Sequence, residues 1–236
     1  MNRRQLAALA ALALLAAAPL PGVGRRDGRR VVDAAATPWA ALARLQVPGT
    51  SRCTAVLLTP RLVLTAAHCL WSAHLRRFVP PDMVHVLRRY DRGAYAGHSI
   101  AASWRIAPGK DVAAVTLSRP LRGPTLRLAP LPAPGTPAML GGYNQDRNEV
   151  IEADTGCHIL ADDGALLRHD CEGTFGTSGA PLLVRGTDGA WQVAGIQTQA
   201  LVAGRGGIAV AAAGLRAWLA APGDGSPGDV SEGEAK

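Results

Sequence analysis

The chain predicts an all-β protein made of barrels or sandwiches. Three observations carry that reading: its apolar runs are short, Gly and Pro turns separate them, and a single segment places apolar residues at helical spacing. The 236 residues suffice for one large domain or two small ones around a substantial core.

In chain order, residues 53–58 and 62–65 read as a hairpin around Thr59-Pro60-Arg61. Leu62-Val63-Leu64 is wholly apolar, as a strand in a barrel interior should be. Residues 112–117 form another strand, with Asp111 at its start. Residues 119–138 carry Pro120, Pro124, Pro130, Pro132, Pro134 and Pro137. Proline removes ladder donors, so this stretch is expected to connect two halves. Residues 138–140 open a second set of strands. Residues 181–184 and 191–196 form a hairpin around Gly186-Thr187-Asp188-Gly189, and 207–210 a last strand. Residues 211–220, with Leu215, Trp218 and Leu219, are the helix.

The two ends are expected to lie outside this fold. Arg3 and Arg4 precede an apolar run over 6–18 that closes on Ala16-Ala17-Ala18, small residues suited to a signal peptidase. The run is short for a membrane span, which disfavours an N-terminal anchor. Residues 1–30 therefore read as a signal peptide and short pro-segment, and the protein as exported, secreted or periplasmic. Residues 222–236 are Gly, Pro, Ser and acidic, the composition of a disordered tail.

The formal charge of +7 says little about partners, because residues 1–30 hold six Arg and one Asp. The rest of the chain carries 19 basic and 17 acidic residues, a net of +2, with no Lys/Arg run. That excludes a nucleic-acid footprint.

The four cysteines, Cys53, Cys69, Cys157 and Cys171, suggest disulfides in an exported chain. Three pairings exist; Cys53–Cys69 and Cys157–Cys171 are favoured because each closes a short loop between adjacent strands. A loop of about 15 residues is worth roughly 3 kcal/mol by chain entropy. The spacings lack a Cys-x2-Cys pair, so no structural zinc is expected.

Three segments supply chemistry: Thr65-Ala66-Ala67-His68-Cys69, Asp111-Val112-Ala113, and Gly176-Thr177-Ser178-Gly179-Ala180-Pro181. A serine hydroxyl is a weak nucleophile at neutral pH. An imidazole must take its proton, and a carboxylate must fix the imidazole's tautomer and stabilise its charged form. His68 is the candidate base, Asp111 the orienter, with Asp91 as the alternative, and Ser178 the nucleophile. Ser178 does not fit the α/β-hydrolase elbow, because Ala180 stands where a second Gly is required. The amides of Gly176 and Ser178 are the candidate oxyanion hole. His74, His85, His98, His158 and His169 are expected at the surface or in packing roles.

At these residues the chain resembles the chymotrypsin/trypsin-like serine proteases, from about residue 31 to about 219. Gly141-Gly142-Tyr143 and His169-Asp170-Cys171 are similar to the secreted bacterial branch that includes glutamyl endopeptidases. The resemblance implies two six-stranded antiparallel β-barrels with a C-terminal helix, the first over about 31–120 and the second over about 138–221. It implies His68 and Asp111 on the first, Ser178 on the second, and a Cys53–Cys69 bridge beside the catalytic histidine.

Two departures from the trypsin pattern matter. Thr177 stands where an Asp would pair with a new N-terminal amine, so Arg29-Arg30-Val31-Val32 lacks the acidic partner of an activation switch. Glu172 lies six residues before Ser178, at the place of an acidic pocket base, with Thr198, Gln199 and Ala200 as pocket wall. A carboxylate there would favour Arg or Lys in the substrate; the competing reading is a solvated surface Glu. The function expected is a serine endopeptidase acting on protein or peptide substrates, a monomer with no cofactor or metal. The alternatives are an inactive protease-like binding protein and an esterase on the same fold.

Overall fold

The computed structural model describes residues 20–221. Residues 1–19 of the expected signal peptide and pro-segment, and the expected tail over 222–236, lie outside the described residues. Sixteen strands occur among the described residues: β1 (Arg30–Val31), β2 (Leu42–Val47), β3 (Ser51–Thr59), β4 (Leu62–Thr65), β5 (Trp71–Ser72), β6 (Arg77–Phe78), β7 (His85–Arg88), β8 (Gly97–Ile106), β9 (Ala113–Leu117), β10 (Arg127–Leu128), β11 (Pro137–Gly142), β12 (Glu152–Asp162), β13 (Leu166–His169), β14 (Pro181–Arg185), β15 (Trp191–Ala200) and β16 (Gly207–Ala211). A turn of 3-10 helix, Ala212–Leu215, leads into α1 (Arg216–Ala220), so the expected helix is present but half of it is wound more tightly.

The strands close into two six-stranded antiparallel barrels. The first runs β2-β3-β4-β9-β8-β7. The second runs β12-β11-β14-β15-β16-β13 and closes through β12–β13 pairing. Closure leaves no free edge within either ring. β1 was expected with the first barrel; it pairs with β12 instead, so the N-terminal segment is stitched to the second. The proline-rich connector contributes β10, which lies parallel to β15.

Three apolar clusters explain the patterning. One fills the first barrel with Leu45, Leu57, Val63, Val86 and Val115. Another fills the second with Leu140, Ile159, Leu167, Leu182 and Ala209. A third joins the barrels, through Leu42, Val56 and Leu64 from one side and Ile151, Leu183 and Ile196 from the other. Successive side chains of a strand point to opposite faces. Val63 therefore enters the barrel while Leu64 enters the joint, which is why residues 62–64 are all apolar. Truncating the fully buried Leu64 to Ala would cost about 2–5 kcal/mol. No helix among the described residues is long and apolar enough to cross a membrane.

Both disulfides are formed, Cys53–Cys69 and Cys157–Cys171, and no free cysteine remains among the described residues.

Candidate active site

His68 sits in the 3-10 turn Ala67–Leu70 that follows β4. β4 pairs antiparallel with β9, placing Thr65 opposite Ala113. The residues just beyond Thr65 therefore meet the residues just before Ala113, and this register delivers Asp111 to His68. Asp111 Oδ1 accepts from the His68 backbone N–H at 2.8 Å, and Oδ2 lies 2.6 Å from His68 Nδ1. The Asp111 side chain keeps 37% of its surface, so these contacts rather than burial orient the imidazole. Asp91, in contrast, pairs with Arg92.

Ser178 lies on the loop before β14 and is joined to the first barrel through its carbonyl, which accepts from Thr54 N at 2.9 Å. Ser178 and His68 line the same cleft, of about 630 Å³, and a smaller pocket of about 270 Å³. Among the described residues the Ser178 hydroxyl has no hydrogen-bond partner. The fold thus brings the two side chains to one cavity without a bond between them, as is common before substrate binds.

The loop over 173–178 is fixed by a set of buried polar groups that sequence reasoning missed. Thr54 Oγ1 donates to Gly176 O at 2.9 Å and accepts from Tyr143 N at 3.0 Å. Asn144 Oδ1 accepts from Thr174 N at 3.1 Å, and Gln145 N donates to Phe175 O at 2.6 Å. Thr177 Oγ1 donates to Thr174 O at 2.6 Å, so the hydroxyl ties the loop across itself where an ion pair was missing. With Phe175 O drawn toward Gln145, the following Gly176 N–H faces away from that contact. Among the described residues neither Gly176 N nor Ser178 N has an acceptor, whereas Thr177 N and Gly179 N do. Gly176 has φ +89°, and a Cβ there would sit 2.2 Å from Tyr143 O; only glycine fits.

The smaller pocket is lined by Thr174, Thr177, Gln197, Thr198, Gln199 and Ala200 beside Ser178, so the three expected wall residues reach it. Glu172 does not. Its carboxylate is buried and accepts from the backbone N–H groups of Gly24, at 2.9 Å, and Gly28. Both earlier readings of Glu172, pocket base and solvated surface group, give way to this one. The cause is the segment over 20–30, expected outside the fold, which covers it.

Gln197, not singled out from sequence, is buried in the pocket wall. Its Oε1 lies 2.7 Å from His169 Nε2, and His169 Nδ1 accepts from Cys171 N at 3.2 Å. An accepting Nδ1 leaves Nε2 as the donor, so His169 is the neutral tautomer; burial holds its pKa below the ordinary value. Cys53, His68 and Cys69 form the single three-residue group of potential metal ligands among the described residues. Its two sulfurs are spent in the disulfide and its imidazole faces Asp111.

A family model described as a trypsin-like peptidase domain matches residues 53–196. Among solved structures, the chain is similar to a Glu endopeptidase in complex with MPD, with a TM-score of 0.72 and 19% identity over 84% of this chain and 95% of that one. It is also similar to the Vibrio cholerae VesB protease, with a TM-score of 0.66 and 20% identity over 81% of this chain and 65% of that one. No curated protein matches the sequence.

Proposed function

Because this chain belongs to the trypsin-like peptidase family, we propose that it is a serine endopeptidase, secreted or periplasmic, that cleaves protein or peptide substrates through an acyl-enzyme. The observation that carries this reading is the doubly bonded His68–Asp111 pair opening into the cleft that also contains Ser178.

Ser178 Oγ attacks the scissile carbonyl while His68 Nε2 takes its proton. Asp111 holds the proton on Nδ1 and stabilises the imidazolium. The carbonyl oxygen becomes an oxyanion, and the unengaged amides of Gly176 and Ser178 are the groups suited to receive it; one such donor is worth roughly 3–4 kcal/mol of transition-state stabilisation. His68 then gives its proton to the leaving amine, and water, activated by the same imidazole, releases the acyl group. Thr177, Thr54 and Asn144 hold the loop ready without a new N-terminal amine.

The pocket before the scissile bond takes an uncharged side chain. Among the described residues no ionisable side chain other than His68 lines it, and Gln197, Thr198 and Gln199 offer neutral polar groups. Two disulfides support an oxidising destination. The test is cleavage of an unfolded protein substrate by the purified enzyme and by Ser178→Ala. Cleavage by the first and none by the second is expected; equal cleavage rejects the reading.

A further inference from the structure

Residues 20–30 touch the substrate pocket at its two walls. One wall includes Thr174, next to Gly173, and the other includes Ala200, next to Leu201. Gly22 lies between them: its N–H donates to Leu201 O at 2.7 Å, and its carbonyl accepts from Gly173 N at 3.4 Å and Gly206 N at 3.1 Å. Gly22 has φ +75°, and a Cβ there would fall 2.1 Å from Gly173 O and 2.9 Å from Ala200 Cβ. The fit admits no side chain.

The rest of the segment is locked down by charge. The buried Glu172 carboxylate, one residue before Gly173, receives the Gly24 and Gly28 amides. The Arg29 side chain is 0% exposed. Its guanidinium donates to both oxygens of Asp146, at 3.0 and 2.8 Å, and to both oxygens of Asp27, at 2.9 Å each. Asp146 follows Gln145, whose amide holds Phe175 O on the nucleophile loop. A dibasic pair awaiting a protease would lie open to solvent. Here Arg29 is buried, and the exposed basic pair within this segment is Arg25-Arg26.

We propose that residues 20–30 form a clip for the substrate pocket, Gly22 joining its two walls and Glu172 and Arg29 holding the clip in place, so that a cut after Arg26 or Arg30 disables substrate binding instead of activating the enzyme. The proposal rests on the peptidase reading above. Processing at Ala16-Ala17-Ala18 would leave the clip whole. Gly22, Arg29 and Glu172 are positioning residues: none lines the pocket itself.

The clip predicts a defect in binding rather than in the acyl-transfer groups, which are held by Thr54, Asn144 and Asp111. Two altered forms test it. One is the folded protein nicked by immobilised trypsin after Arg25 or Arg26, with the released peptide removed and the cut verified by mass. The other is Gly22→Ala, which needs no proteolysis. Each is assayed with fluorogenic peptides varied at the residue before the scissile bond, and with diisopropyl fluorophosphate, which does not fill the pocket. Both forms should raise KM by about tenfold or more and keep the fluorophosphate labelling rate within about twofold. An unchanged KM overturns the proposal, and so does an equal loss of labelling and turnover, which would make the segment a general stabiliser. Failure of the intact protein to label or cleave would instead reject the peptidase reading.

Discussion

Asp111 receives two hydrogen bonds from the single residue His68, the backbone N–H at 2.8 Å on one oxygen and Nδ1 at 2.6 Å on the other. The backbone bond fixes the carboxylate, and the carboxylate fixes the ring. Asp111→Asn can still accept through one oxygen but presents an amide to the other contact. By analogy with the effect of that change in serine proteases, kcat should fall by about 10⁴-fold. Steady-state kinetics on a peptide ester and a peptide amide would check it.

Losses at His68 and Ser178 should not add. Each acts only through the other, so His68→Ala with Ser178→Ala together should cost about as much as either alone, roughly 10⁶-fold in kcat. Multiplying losses in the double variant would mean that the two side chains work separately.

Thr177 carries no charge to pair with an N-terminal amine, so activity is not expected to depend on one. Acetylation of the α-amine, which removes its charge, should leave kcat/KM unchanged. Thr177→Val removes the 2.6 Å hydroxyl donor to Thr174 O, which keeps the Thr177 N–H at 3.1 Å, a cost of about 0.5–1.5 kcal/mol. Thermal unfolding and kinetics together would show whether that cost falls on stability or on turnover.

The three segments of the candidate site were legible in sequence because each combines a rare residue with an obligatory local conformation. Gly176 must be glycine at φ +89°, and His68 must follow a strand whose register delivers Asp111. The hairpins at β3–β4 and β14–β15 were legible because apolar runs flank their turns. β12 was not. It buries Glu152 and Asp154, charges that read as surface until their partners Arg29, Arg147 and Arg205 are known, of which Arg29 and Arg205 are far away in sequence. The same cause misplaced Glu172, whose partners are backbone amides almost 150 residues earlier (the Gly24 pairing spans 148). Thr54 and Gln197 look like ordinary strand residues, and nothing local reveals that their polar atoms bridge strands.

The buried His169 gives stability a defined pH dependence. Its folded pKa lies below the ordinary value because burial disfavours the charged ring. Between that depressed value and about 6.5 the unfolded chain binds a proton that the folded chain does not, so stability falls as pH drops through this window. Urea unfolding at several pH values should show a shallower slope there for His169→Gln than for the wild type. Asp27, held below its ordinary value by Arg29, acts in the same direction at lower pH: its contribution is present above about 4 and lost as acid protonates it.

With Glu172 turned away, none of the described residues brings a carboxylate to the pocket to attract a basic side chain. A peptide library varied at the residue before the scissile bond should show preference for uncharged residues, with Arg and Lys disfavoured. A strong Arg or Lys preference would mean that an acidic group reaches the pocket after all.

The most direct measurement is active-site titration with a fluorophosphonate, followed by peptide mapping of the adduct. One adduct per chain, on Ser178, with labelling slowed by orders of magnitude in His68→Ala, is the result expected of an imidazole-activated serine. A Ser178→Ala variant that still labels and cleaves at the wild-type rate, or an adduct on another residue, would contradict the account.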